Sequence, residues 1–281
     1  MNRYSIGLYE KAMPDTLSWR EKLLCAKECG YDFVEISVDE KDAKLARLDW
    51  TVQERLELVQ TMAETGVPVR SMCLSGHRKY PMGSADPQIR ARSMEIMEKA
   101  IQVADDLGVR MIQLAGYDVY YEETSEQTKA YFLENLKKAA EMAAVKGVML
   151  GFETMETPFM NTVWKSMFYV NAVNSPYLGV YPDIGNLTNA AVSDKTGVLN
   201  DLQSGRGNLF ALHLKETVPG VFREVPFCTG HVNFESGIAA AWELGIRRFV
   251  TEMWYVGNDG TWKSDIQFAC SHMREILDRQ G

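Results

Sequence analysis

Four side chains of the kinds that bind divalent metals each stand at the end of a short apolar segment. The segments are VMLGFE (Val148–Glu153), LGVYPD (Leu178–Asp183), LFALH (Leu209–His213) and RRFVTE (Arg247–Glu252), and the four side chains are Glu153, Asp183, His213 and Glu252. A charge at the end of a buried strand is costly unless something compensates it. If the four converge, three carboxylates and one imidazole would suit one divalent ion, Zn²⁺ or Mn²⁺ in first place and Co²⁺ or Mg²⁺ as alternatives.

Glu153 and Glu252 are also suited to acid–base chemistry on a sugar. A metal ion that binds adjacent carbonyl and hydroxyl oxygens acidifies the carbon-bound proton between them and stabilises the resulting enediolate. One glutamate can remove that proton, and a second on the opposite face can return one, which inverts the carbon. The two residues come from segments that are not consecutive, so they could flank a substrate.

Short apolar segments alternate with longer segments of helical periodicity along the chain. The strand candidates are Tyr4–Tyr9, Phe33–Ser37, Val67–Cys73, Arg110–Ala115, Val148–Glu153, Gly179–Asp183, Leu209–Leu214 and Arg248–Met253. The helix candidates are Ser18–Cys29, Thr51–Thr65, Pro87–Leu107, Ser125–Lys146, Thr162–Val173, a short one near Thr196–Gln203, Phe234–Leu244 and Lys263–Arg279. Glycine follows several helices, as expected where a helix ends in a left-handed turn. The repeat predicts an α/β protein with one (β/α)8 TIM barrel domain over residues 1–281.

An open doubly wound sheet is the structural alternative. It would normally carry a glycine-rich phosphate turn after its first strand, but YEKAMPDT follows here. In a barrel, by contrast, the carboxyl ends of all strands meet at one rim, where active sites lie. The metal-binding side chains would then converge from strands five to eight.

Composition excludes some function classes. The 281 residues are 46% hydrophobic and 24% charged, with a formal charge of −8, which disfavours a nucleic-acid partner. No run of 18 apolar residues occurs, so no membrane-spanning helix is expected. Five scattered cysteines and a start without a signal-peptide pattern predict a cytoplasmic protein.

Longer blocks of sequence carry a family resemblance. They are GLYEKAMP (Gly7–Pro14), YDFVEISVDE (Tyr31–Glu40), SMCLSGHRKYPMGS (Ser71–Ser84), IQLAGYDVYY (Ile112–Tyr121), YPDIGNL (Tyr181–Leu187), HLKETVPGVFREVPF (His213–Phe227) and TEMW (Thr251–Trp254). The chain resembles the xylose isomerase-like TIM-barrel superfamily, and within it the L-ribulose-5-phosphate 3-epimerase (L-xylulose-5-phosphate 3-epimerase) family of L-ascorbate and pentose catabolism.

The resemblance implies a metal-dependent isomerase that interconverts L-xylulose 5-phosphate and L-ribulose 5-phosphate. It implies Glu153, Asp183, His213 and Glu252 as ligands of one metal ion, with both glutamates as the acid–base pair acting through a metal-stabilised enediolate. The partner would be a small-molecule sugar phosphate, with no nucleic acid or membrane, and a homodimer is plausible for this barrel class.

Further polar side chains are candidates for holding the sugar phosphate. Charge-assisted hydrogen bonds from two or three cations would grip the phosphate, and each of these cations could instead be an ordinary surface charge. The candidates are Lys11, His77, Arg78, Lys215 and Arg223, with Glu156 and Asn186 as possible contacts to sugar hydroxyls.

Other functions fit parts of the same pattern. An aldose–ketose isomerase or a dehydratase on a related sugar or polyol would use the same site, and a non-catalytic sugar-binding module is a weaker alternative. A metal-dependent phosphoesterase that acts on DNA would need more histidines than the four present. The loop Val225–Glu235 departs from the family pattern because Cys228 and His231 stand where glycine and a small apolar residue are expected, which leaves the substrate preference open.

Overall fold

The computed structural model describes residues 3–257 and 260–281, and its central feature is a sheet of parallel strands. The strands are β1 (Ser5–Tyr9), β2 (Phe33–Val38), β3 (Val69–Leu74), β4 (Met111–Ala115), β5 (Met149–Glu153), β6 (Leu178–Val180), β7 (Leu212–Leu214) and β8 (Arg248–Thr251). Their order is β6-β5-β4-β3-β2-β1-β8-β7. Bridges Val180↔Leu209 and Asp183↔His213 connect β6 to β7 and complete the ring. The predicted (β/α)8 barrel is therefore confirmed, with several strands shorter than predicted.

Helices surround the strands. They are α1 (Trp19–Glu28), α2 (Asp42–Leu45), α3 (Val52–Thr65), α4 (Pro87–Leu107), α5 (Glu126–Lys146), α6 (Val163–Val173), α7 (Ile184–Asp194), α8 (Val198–Ser204), α9 (Phe234–Glu243) and α10 (Trp262–Asp278). All eight predicted helices are present. The sequence pattern missed the short α2 and all of α7, because IGNLTNAAVSD contains Gly, Asn and Thr, which are weak helix formers.

Glycine ends the long helices as the sequence predicted. Gly108 follows α4 with φ 73° and Gly147 follows α5 with φ 64°, the left-handed conformation that glycine adopts without steric cost. Each turn sends the chain directly into the next strand. This geometry fixes where β4 and β5 begin, and so where their carboxyl ends lie.

The core has two layers, as expected for a barrel filled by side chains. A small cluster fills the barrel interior and includes Phe33, Met111, Tyr181, Ala211 and Val250. A much larger apolar cluster lies between the strands and the surrounding helices. Among the described residues, no helix is both long and apolar enough to cross a membrane.

A buried ion cluster joins the first two βα units. The carboxylate of Glu10, which is fully buried just after β1, receives Lys44 Nζ at 2.8 Å, Lys22 Nζ at 3.3 Å and the guanidinium of Arg47. It also accepts a hydrogen bond of 2.8 Å from the backbone N–H of Ser37, the second-to-last residue of β2. Burial opposes ionisation of Glu10, but the three cations outweigh it and lower the pKa of this carboxyl to about 2.

Replacing Glu10 by Gln should lower the free energy of unfolding at pH 7 by about 3–5 kcal/mol, because three buried cations lose their anion. The carboxyl has its ordinary pKa of 4.5 in the unfolded chain and about 2 in the folded one, so the stability it contributes is present above pH 4.5 and is lost as the pH falls toward 2. Urea unfolding at pH 7, 5 and 3.5 measures the difference in the free energy of unfolding between wild type and Glu10→Gln. This difference should shrink by roughly a third to a half between pH 7 and pH 3.5.

Glu126→Gln is the control, because Glu126 makes an exposed ion pair with Lys129 and such pairs contribute little. A Glu10→Gln penalty as small as that of the control, or one that does not change with pH, would contradict this account of the cluster.

Candidate metal centre

The barrel brings the four predicted metal ligands together at one rim. Glu153 is the last residue of β5, His213 lies in β7 and Glu252 directly follows β8. Asp183 follows β6 by three residues and also caps α7, since its Oδ1 accepts a 2.6 Å hydrogen bond from the Asn186 N–H. One ligand atom from each residue lies within 4.8 Å of the others, and all four side chains are buried.

The contacts inside the quartet fit a cation. His213 Nδ1 lies 2.8 Å from Glu252 Oε2 and 3.9 Å from Asp183 Oδ2. Asp183 Oδ2 is buried and accepts no well-aligned hydrogen bond among the described residues, although the Lys215 ammonium lies 3.3 Å away. Buried polar atoms are rarely left unsatisfied, and three carboxylate oxygens with one imidazole nitrogen form a suitable donor set for a divalent metal. The residues present therefore fit the group that the sequence predicts.

Lys215 supplies positive charge beside the quartet. Its ammonium lies 3.3 Å from Asp183 Oδ2 and 3.5 Å from Glu252 Oε2, and the side chain is only 4% exposed. Its Nζ also stands over the Trp254 ring at 5.8 Å from the centroid. The sequence predicts Lys215 as a contact to the sugar phosphate, and the structure brings its ammonium into the cleft beside the predicted metal ligands; substrate contact by Lys215 stays a prediction.

Burial and mutual repulsion dominate the electrostatics of the quartet. Burial, reinforced by the charge of Glu252, raises the pKa of Glu153 to about 8, and burial raises the pKa of Asp183 to about 7. Burial also disfavours the charged form of Glu252, but Lys215 and His213 hold the pKa of that carboxyl well below its ordinary value. Without a further cation, ionising all of these carboxyls together near neutral pH has a large cost in free energy.

Glu35 contacts the far side of His213 and was not found from the sequence. Its Oε1 lies 2.7 Å from His213 Nε2, and its Oε2 accepts a 3.0 Å hydrogen bond from the Tyr181 hydroxyl. A carboxylate there keeps the proton on Nε2 and leaves Nδ1 facing the quartet, which is how metal-binding histidines are usually oriented. The only sequence signal was a glutamate inside the otherwise apolar FVEISV segment of β2.

A cleft opens above the quartet. Its walls include Tyr9, Cys73, Met155, Phe222 and Trp254, and its floor includes Glu153, Glu252 and Lys215. Tyr9 and Trp254 pack edge to face with their ring centroids 6.3 Å apart. The aromatic side chains flank the predicted acid–base pair and reduce its contact with water.

Most of the predicted phosphate and sugar contacts line this cleft, and each of its cations already has a carboxylate partner. Lys11 pairs with Asp39 at 2.5 Å. Arg223 lies 3.4 Å and Arg78 lies 4.0 Å from the same Glu156 oxygen. The Tyr117 hydroxyl donates a 2.6 Å hydrogen bond to the other oxygen of Glu156. The cleft therefore has two arginines that share one carboxylate, so an incoming anion could share them too.

His77 and Asn186 make contacts within the protein. The His77 ring is buried, and its Nε2 lies 3.1 Å from the Ser93 carbonyl oxygen of α4. Asn186 lines the cleft and its Nδ2 donates a 2.7 Å hydrogen bond to the Thr154 carbonyl, whereas its buried Oδ1 has no partner within the described ranges. Substrate contact by either residue stays a prediction.

Buried Glu216 organises the loop Val225–Glu235. It accepts hydrogen bonds from the backbone N–H of Cys228 at 3.0 Å and of Val232 at 3.1 Å. Cys228 has φ 65°, a conformation that favours glycine, and glycine is the residue expected there from the family pattern. His231 reaches back to Thr217 Oγ1 at 3.1 Å.

Comparisons with known proteins agree with this fold. The profile of the family described as xylose isomerase-like TIM barrel matches residues 24–275. An L-ribulose-5-phosphate 3-epimerase UlaE of Salmonella paratyphi C is 49% identical over 250 residues, which cover 89% of this chain and 87% of the relative. The protein of the same name from Salmonella typhimurium is 48% identical over the same shares of each chain.

Solved sugar epimerases share the fold at low sequence identity. A D-allulose 3-epimerase from Methylomonas sp. superposes with a TM-score of 0.79 at 20% identity over 97% of both chains. A structure named L-ribulose 3-epimerase gives a TM-score of 0.77 at 19% identity and covers 98% of this chain and 93% of its own.

Replacing Glu35 by Gln should weaken Mn²⁺ or Zn²⁺ binding by about 10- to 100-fold, because His213 loses the carboxylate that orients it and makes it more basic. Isothermal titration of the metal-free protein with each ion measures this change. Glu10→Gln is a matched control, since it also removes a buried glutamate but leaves the quartet untouched. Equal metal affinity in Glu35→Gln and wild type would show that Glu35 does not support the site.

Proposed function

We propose that this chain, which belongs to the xylose isomerase-like TIM barrel family, is a metal-dependent 3-epimerase. It would interconvert L-xylulose 5-phosphate and L-ribulose 5-phosphate. Its curated relatives are sugar epimerases. The observation that carries the proposal is the buried quartet of Glu153, Asp183, His213 and Glu252, whose ligand atoms lie within 4.8 Å of one another. The names of the relatives that are 48–49% identical supply L-ribulose 5-phosphate as the substrate, and L-xylulose 5-phosphate is its epimer at C3.

We propose that all four residues of the quartet hold one divalent metal ion. When bound, the ion would act as a Lewis acid toward the C2 carbonyl and C3 hydroxyl oxygens of the ketose and so acidify the C3 proton. His213 offers Nδ1 to this position because Glu35 occupies its Nε2. The donor set favours Zn²⁺ or Mn²⁺, with Co²⁺ or Mg²⁺ as alternatives.

Glu153 and Glu252 are proposed as the two bases. They come from β5 and the end of β8, strands that are not neighbours in the ring, so their carboxylates can approach a bound sugar from different sides. One would take the C3 proton and the other would deliver a proton to the opposite face. Burial, which raises the pKa of Glu153, suits a carboxyl that must exchange protons near neutral pH.

The other residues of the cleft would bind and orient the substrate. Arg78 and Arg223 flank Glu156. A substrate phosphate could pair with the two guanidinium groups, while Glu156 accepts hydrogen bonds from sugar hydroxyls. Lys215 is close enough to the quartet to hold a sugar oxygen near the reacting carbons. Tyr9 and Trp254 would shield the reaction from bulk water.

A homodimer is proposed as the functional assembly. On the outer face of α6, Trp164 is 69% exposed and Phe168, one helical turn later, is 64% exposed. Large apolar side chains that cluster on a surface often mark a protein interface.

The two-base mechanism predicts distinct exchange behaviour in single variants. In D₂O, the wild type with Mn²⁺ should incorporate deuterium at C3 while it interconverts the two phosphates. Glu153→Gln and Glu252→Gln should each lower epimerisation by about 10²- to 10⁴-fold. Each variant keeps one base, so each should still exchange the C3 proton of one epimer with solvent, and the two variants should differ in which epimer this is. Proton NMR measures the exchange.

Because both glutamates are also proposed ligands, metal content must be measured beside exchange. Variants that keep the metal but fail to exchange C3–H of either epimer would contradict the separate roles of the two bases. Label that appears at C1 alone would instead indicate aldose–ketose isomerisation.

The phosphate proposal predicts a selective defect in Arg78→Gln and Arg223→Gln. Each loses a charge-assisted contact, so the KM for L-ribulose 5-phosphate should rise about 10-fold or more, whereas turnover of unphosphorylated L-ribulose should change little. Arg206→Gln is the control, since Arg206 is exposed and bonds only with Gln203 among the described side chains. An equal loss with both sugars would argue against phosphate binding by these arginines.

A further inference from the structure

The end of the barrel opposite the candidate metal centre contains an open cleft of about 1100 Å³. It lies where the strands begin, and its lining includes Ser5 of β1, Met111 of β4 and Met149 of β5. Its basic lining side chains are Arg3, Lys27, Arg70, Arg110, Arg247 and Arg248, and Asp32 is its single acidic lining residue among the described residues. We call this set the basal cleft.

The one acidic residue of the basal cleft is already neutralised. Asp32 Oδ2 lies 2.9 Å from Arg274, which is not part of the lining, and accepts a 2.8 Å hydrogen bond from the Ile6 N–H. Asp32 therefore contributes little negative charge to balance the arginines.

Two arginines of the basal cleft, Arg70 and Arg248, have guanidinium groups with neither a carboxylate nor a carbonyl partner among the described residues. Over residues 3–257 and 260–281, neither Arg70 nor Arg248 has a carboxylate within 4.0 Å, and the contact made by the Arg248 guanidinium is Met111 Sδ at 3.8 Å. By contrast, Arg110 pairs with Asp105 at 2.8 Å and Arg247 donates to the Trp242 carbonyl at 2.7 Å. The cleft thus has guanidinium groups whose hydrogen-bonding capacity is unused.

This concentration of positive charge contrasts with the formal charge of the whole chain, which is −8. Like charges that line one concave surface repel each other and attract anions, because the low-dielectric walls focus the field into the cleft. Guanidinium groups bind phosphate oxygens in pairs and hold them more specifically than ammonium groups do. No residue of the proposed reaction lies here, so catalysis does not explain the charge.

We propose that the basal cleft is a binding site for a small anion with two or more phosphate groups. The cleft is concave and lies among the strand ends of the barrel, which suits a small molecule better than an extended polymer. Its apolar floor, with Met111, Met149 and Phe210, leaves room for the carbon skeleton of such a ligand. The proposal does not depend on the epimerase assignment, because the two sites lie at opposite ends of the barrel.

Inorganic pyrophosphate is the probe for this site. The metal-free protein in EDTA at low ionic strength is titrated with pyrophosphate by calorimetry, since EDTA keeps metal–pyrophosphate complexes out of the measurement. Wild type should bind with a defined stoichiometry, and Arg70→Gln and Arg248→Gln should each weaken binding about 10-fold or more. Arg70 is exposed, so its replacement tests the site even if Arg248→Gln proves unstable.

Two control variants separate this site from other anion binding. Arg78→Gln tests whether pyrophosphate binds in the cleft above the quartet. Arg20→Gln removes an exposed cation that is paired with Glu64 on another surface. Both should bind pyrophosphate within twofold of wild type. The proposal is overturned if wild type does not bind, if Arg78→Gln alone abolishes binding, or if Arg20→Gln weakens it as much as Arg70→Gln does.

Discussion

Repulsion among three buried carboxylates is the constraint around which the functional end of the barrel is organised. Glu153, Asp183 and Glu252 approach one another where burial would normally keep an acid away. His213 and Lys215 supply positive charge, and each is itself buried. All three carboxylates can be ionised together near neutral pH only at a large cost in free energy unless a further cation completes the arrangement. The family fold, the aromatic walls of the cleft and the orientation of His213 by Glu35 are consistent with a metal ion in that role.

The sequence predicted the parts of the site that depend on local order along the chain. A carboxylate at the end of an apolar segment can be recognised without knowing its neighbours, and the regular strand–helix spacing places such ends at one rim. Asp183 illustrates the limit of this reasoning. The sequence predicts its segment as a strand up to the aspartate, whereas β6 ends at Val180 and Asp183 caps α7, a helix that its composition concealed.

The parts that the sequence did not predict depend on contacts between distant strands. Glu35 is 178 positions from His213 in the chain and reaches it only because β2 faces β7 across the barrel. The position of Lys215 beside the carboxylates likewise depends on how β7 closes the ring against β8. The two ends of the barrel differ in charge: carboxylates predominate at the rim where the strands end, and arginines predominate in the basal cleft where the strands begin.

Anomalous diffraction from crystals grown with Mn²⁺ tests the central claim most directly, because it locates the ion without reference to activity. The account predicts one strong peak in bonding contact with oxygens of Glu153, Asp183 and Glu252 and with His213 Nδ1, and a Lys215 ammonium displaced from Asp183. The account is contradicted if a crystal saturated with Mn²⁺ shows no anomalous peak among these four side chains and Lys215 is still paired with Asp183.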